Sequence, residues 1–181
     1  MTPGAEPVVP TALRAERSTR DIVISLLVLL VPIALLIGFG RGFLGADQPA
    51  PVDAAPALSQ ARAAGAFPVS EPTGLADGWT TISAVFQRAD AGATLRLGYV
   101  TPSGGGVQLL QSNVPADGLL PAELTGDARQ QGLTDLGGRS WQRYTARPGE
   151  LALVLLEPTR TVIVVGPVPE DDLRHLATSL R

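Results

Sequence analysis

Three regimes of hydrophobic patterning succeed one another along this 181-residue chain. From Ile22 to Gly40 there is no charge, with Arg20 and Asp21 before the run and Arg41 after it. From Trp79 onward, short segments alternate apolar and polar residues or run apolar between turn signals. The final segment, "PEDDLRHLATSLR", sets Leu173, Leu176, Ala177 and Leu180 at i, i+3, i+4 and i+7. Each regime predicts a different element.

As a helix at 1.5 Å per residue, the first run would extend about 28 Å, near the ~30 Å hydrocarbon thickness of a bilayer. It is apolar all round, and its mid-run Pro32 is of a kind that membrane helices tolerate. The alternatives are a cleaved signal peptide and a buried core helix. A signal core is typically ~7–15 residues and ends at a small-x-small site, which Arg41–Gln48 does not offer. The run therefore reads as an uncleaved single-pass anchor that meets the lipid bilayer through residues 21–44. Arg14, Arg17 and Arg20 precede it closely and only Arg41 follows closely. That asymmetry places the N-terminus in the cytoplasm and the C-terminal domain outside, at the cell membrane.

Residues 1–20, rich in Pro and Arg and without periodicity, read as a disordered cytoplasmic tail. Residues 45–66 read as a linker holding a short helix near Ala54–Ala64, stopped by Gly65. Residues 67–181 read as the extracytoplasmic domain. In "WTTISAVFQ", Ile82, Ala84 and Phe86 alternate with polar positions. "ATLRLGYV" and "GGVQLLQSNV" follow as strands, separated by the loop "TPSGGG". "PADGLLPAEL" is a helical turn or loop. Gly137-Gly138 marks a tight hairpin between "GLTDL" and "RSWQRYTAR". "ELALVLLE" and "TVIVVG" are apolar nearly throughout and predict central strands covered on both faces. Glu170, Asp171 and Asp172 at the start of the last segment suit the N-terminus of an amphipathic helix. The predicted fold class is α+β: one transmembrane helix, then a compact antiparallel sheet of six or seven strands with the C-terminal helix packed on it.

Composition narrows the chemistry. With a net charge of −3 the chain has no basic footprint, which argues against nucleic acid as partner. Cys is absent, which excludes disulfides, thiolate catalysis and Cys-based zinc sites. All 14 basic residues are Arg, so a phosphate loop of the G-x-x-x-x-G-K-[ST] type, which needs Lys, is also excluded.

The segments "TRDIVISLLVLLVPIALL", "ARAAGAFPV", "PTGLADGW", "ATLRLGYVTPSGGGVQLLQS" and "VPEDDLRHLATSLR" stand in co-linear order over nearly the whole chain. Together they resemble the actinobacterial membrane-anchored family catalogued as domain of unknown function 4245. The resemblance implies an N-terminal anchor and an extracytoplasmic domain. It brings no activity, cofactor or catalytic residue.

Candidate chemistry is sparse. His175 is the only His, lies off the leucine stripe, and has no G-x-S-x-G nucleophile elbow to serve. Glu170, Asp171 and Asp172 are accounted for by the helix dipole rather than by a metal, and Trp79 reads as a plug where the chain enters the sheet. The richest stretch is "GGRSWQRYTAR". Arg139, Trp141, Arg143 and Arg147 form a candidate interaction face, suited to anionic groups of an envelope protein, a lipid headgroup or a wall polymer. The competing structural reading tucks Trp141 under the C-terminal helix with Arg143 reaching out to solvent. No catalytic, metal or cofactor-binding residue is assigned. The expected role is a non-enzymatic binding or accessory module at the cell envelope. The alternative is an envelope hydrolase in which two or more of Asp77, Asp90, Asp117, Glu123, Asp135 and Glu150 converge only in three dimensions.

Overall fold

A computed structural model describes residues 50–181, and Pro49–Arg181 form a compact unit. In chain order the elements are α1 (Ala55–Ala64), β1 (Thr80–Ala89), β2 (Gly92–Val100), β3 (Gly106–Ser112), α2 (Ala116–Glu123), β4 (Gln130–Leu136), β5 (Arg139–Thr145), β6 (Leu151–Glu157), β7 (Arg160–Gly166) and α3 (Glu170–Ser179).

The strands form one sheet in the order β1-β2-β3-β7-β6-β5-β4, and every neighbouring pair is antiparallel. Two meanders thus meet at a seam. The first runs β1 to β3. The chain then passes through α2 to the far edge and returns inward from β4 to β7, which pairs with β3. The seam sets Leu109 opposite Val164 and Leu110 opposite Ile163.

Strand alternation sorts the apolar residues into two layers. Leu95, Leu97, Leu109, Leu153, Leu155, Val162 and Val164 share one layer with Ala57, Leu58 and Ala61 of α1 and with Leu173, Leu176 and Ala177 of α3. Leu110, Ala152, Val154, Ile163 and Val165 share the other with Leu119 of α2 and Leu124. β7 is buried along its whole length, which explains why it and β6 read as unbroken apolar runs. Burying each Leu, Ile or Val of these layers contributes roughly 1.5–3 kcal/mol.

The architecture expected from sequence is corrected in its helices. The described residues hold a seven-stranded antiparallel sheet with three helices rather than one long anchor, a linker helix and one packed helix. Among them no helix is long and apolar enough to cross a membrane. The two longest, α1 and α3, have 10 residues each. At 1.5 Å per residue that is about 15 Å, half the hydrocarbon thickness. The run assigned to an anchor, residues 21–44, lies outside the described residues, as does the tail of residues 1–20. The short helix expected near Ala54–Ala64 is present as α1, with Gly65 in the left-handed conformation at its C-cap. The "PADGLLPAEL" segment, read from sequence as a helical turn or loop, is the helix α2, with Pro121 inside it.

Candidate functional site

α3 packs over β6 and β7, and side chains of β5 hold it at both ends. In a strand, residues two apart face the same way, so Arg139, Trp141 and Arg143 all face α3. Arg139 Nη2 donates to the Leu180 carbonyl at 3.0 Å, at the C-terminal end of the helix. Arg143 Nε stands 3.5 Å from Glu170 Oε2, in the helix's first turn. Between them Trp141 is fully buried with the α3 leucines, and the Arg139 guanidinium sits 6.0 Å from the centre of its ring. β5 therefore gives the helix a cation at its negative end and meets the helix's acidic first turn with a second cation.

The four residues singled out from sequence are thus distributed unequally. Arg139, Trp141 and Arg143 come together in the seam between β5 and α3. Arg147 is exposed in the loop after β5 and faces Glu150 at 3.5 Å. Arg174, one helical turn beyond Glu170, joins the seam: its Nε and Nη2 bond Glu170 Oε1 at 2.9 and 2.7 Å. Two half-exposed guanidiniums therefore share one carboxylate. Arg143 Nη2 also donates to Gln131 Oε1 at 3.2 Å, while its Nε and the Trp141 Nε1 have no hydrogen-bond partner. Both of those nitrogens are enclosed, so what the edge presents to an anionic oxygen is the partly exposed remainder of the Arg143 and Arg174 side chains, two cations against one carboxylate.

On the other flank of α3, His175 is exposed and its ring centre lies 5.9 Å from that of Trp79. Trp79 is half-buried and meets Tyr99 edge-on at 6.3 Å. Burial pushes the Tyr99 hydroxyl up to about 12, and the Glu71 carboxylate adds to the shift.

The carboxylates proposed for a cleft do not share one. Glu123 pairs with Arg96 and Glu150 faces Arg147. Asp117 accepts from the Gly118 N–H at 3.0 Å, and Asp135 accepts from the Gly138 N–H at 3.1 Å. Asp77 and Asp90 are exposed in turns. Among the described residues no group of three or more His, Cys, Asp or Glu could hold a metal ion.

The most enclosed polar cluster was missed from sequence. Arg160, 7% exposed, donates through Nε to Glu157 Oε2 at 2.5 Å. It also bonds Gln111 Oε1 at 2.8 Å, Ser70 Oγ at 3.0 Å and the Pro68 carbonyl. Gln111 in turn receives the Ser70 N–H at 2.9 Å and donates to the Ser70 carbonyl at 2.7 Å. This network clasps the segment Pro68–Ser70 to the sheet. One cue existed: Gln111 continues the buried face of Val107 and Leu109, where a polar group needs a partner.

The family model described as Protein of unknown function (DUF4245) matches residues 14–180, in agreement with the resemblance read from the sequence. No curated protein matches the chain.

Proposed function

The chain belongs to that family, and from this premise we propose that it is a non-enzymatic binding or accessory module at the cell envelope, one that engages an anionic group of an envelope partner. The observation that carries the reading is the sharing of the single Glu170 carboxylate by Arg143 and Arg174, both partly exposed. A guanidinium so placed offers a planar, permanently charged donor set to a carboxylate or phosphate. The dispersal of the carboxylates, each held by a local partner or exposed in its own turn, supports binding over hydrolysis. Placement at the membrane rests on the uncharged run Ile22–Gly40 and on the arginines that precede it. In this reading residues 21–44 meet the lipid bilayer and the domain lies on the extracytoplasmic side.

The test is photocrosslinking in intact cells. A photoreactive residue replaces Arg143, with exposed Gln87 on β1 as the control. Capture of one protein, lipid or polymer from position 143 and not from 87 is expected. Equal capture at both positions, or none, overturns the proposal.

A further inference from the structure

The two edges of the sheet are finished differently. At the β1 edge, the Val52 N–H donates to the Thr81 carbonyl at 2.8 Å, so a neighbouring segment already occupies part of that flank. At the other edge β4 has β5 on one side only. Gln130 to Leu133 and Asp135 are exposed, and Leu133, at the middle of the strand, is 67% exposed, more than any other large hydrophobic among the described residues. Edge strands are ordinarily guarded by Lys, Pro or inward charge. β4 has no Lys or Pro; its guards are the exposed Asp135 and one bulge between Gln130 and Gly132, and Leu133 stays 67% exposed between them.

Which backbone groups face outward follows from the hairpin. Gly137 and Gly138, with φ of 63° and 75°, join β4 to β5 as a two-residue turn, so Leu136 and Arg139 form the hydrogen-bonded pair that closes it. Hydrogen-bonded and non-hydrogen-bonded pairs then alternate. Thr134/Trp141 is bonded and Leu133/Gln142 is not. The N–H and C=O of Leu133 therefore point away from β5, at the open edge, as do those of Asp135.

We propose that the open edge of β4 is the interface of a homodimer, in which the strands of two copies pair antiparallel about a twofold axis at Leu133. The register chooses itself among the symmetric possibilities. An axis at Asp135 sets two carboxylates face to face, and an axis at Thr134 sets each Leu133 against an aspartate. An axis at Leu133 sets leucine against leucine, Gly132 against Thr134, and Asp135 against the amide of Gln131. It also matches the outward N–H and C=O of one Leu133 to those of the other. The sheet then continues through both copies, and the least protected apolar side chain of the domain is covered. This interface does not rest on what the Arg143 site binds, although Gln131, which accepts from Arg143 Nη2, belongs to both.

The chain has no Cys, so one introduced thiol reports position without background. In the full-length chain, mild oxidation of Leu133→Cys gives a disulfide-linked dimer, and Val85→Cys, on the opposite edge strand and also exposed, does not. Gln131→Cys mixed with Asp135→Cys crosslinks, whereas Gln131→Cys alone does not, because its two copies stand about 13 Å apart in this register. Sedimentation gives a dimer for the unmodified chain and a monomer with unchanged circular dichroism for Leu133→Arg. The proposal is overturned by a monomeric unmodified chain, by a Leu133→Arg dimer, or by disulfide yield at 133 no greater than at 85. It is equally overturned if Gln131→Cys alone crosslinks as well as the mixture.

Discussion

Arg160 shows how much one buried cation organises. Its four hydrogen bonds reach β3, the end of β6 and the incoming segment before β1. Arg160→Met would leave Glu157 and Gln111 facing each other without a donor between them. Loss of one partner from a buried charged network costs roughly 3–5 kcal/mol, so the urea midpoint is expected to fall accordingly, with part of the loss recovered by a second change, Glu157→Leu. Tyr99 carries a different signature. Its folded pKa of about 12 stands above the ordinary value of 10.0, so the folded state holds its proton where the unfolded state has lost it. The resulting stability is complete below pH 10 and is lost as pH rises through about 12. In a Tyr144→Phe background the phenolate absorbance reads Tyr99 alone, and Glu71→Gln should lower its midpoint. Gly166 is constrained by space rather than charge. A Cβ there would stand 2.4 Å from the Gly106 carbonyl oxygen, backbone that belongs to the neighbouring strand. Gly166→Ala is expected to cost about 1–3 kcal/mol, read as a drop in melting temperature.

At the scale of elements, α3 is held by its leucine stripe and by the two β5 arginines, and the two contributions are separable. Leu176→Ala removes a fully buried side chain and is expected to cost about 2–5 kcal/mol in chemical denaturation. Arg139→Ala removes a partly exposed hydrogen bond to the Leu180 carbonyl and should cost only about 0.5–1.5 kcal/mol. Elements of this kind were legible because their signals are local. The spacing of Leu173, Leu176, Ala177 and Leu180, the alternation of Leu95, Leu97 and Tyr99, and the Gly137-Gly138 turn each lie within a dozen residues. What was not legible acts across the chain. Nothing near Pro115 says that α2 carries the chain to the opposite edge, or that it covers a second face. Nothing near Arg143 says that its carboxylate is Glu170, or near Arg160 that it will meet Ser70. Trp141 was readable as either core or surface, because a strand's two faces look alike until the topology decides which one receives a helix.

For the whole molecule, the order of the strands has a consequence for how the chain finds its fold. Each meander is made of neighbours and can form early. Neither has a covered core alone, because Leu109 with Val164 and Leu110 with Ile163 are central to both apolar layers and lie on opposite sides of the seam. Joining β3 to β7 closes a loop of roughly fifty residues, whose entropic cost grows slowly, by about 0.6 kcal/mol for each doubling of length. Folding governed by such non-local pairing is slow, in the range of milliseconds to seconds. The crossover after α2 sets the length of that loop, and Gly126 and Asp127 are exposed within it. Lengthening the chain there with Gly-Ser segments should lower the logarithm of the refolding rate in proportion to the logarithm of loop length while leaving the unfolding rate almost unchanged, as stopped-flow fluorescence of Trp79 and Trp141 would read.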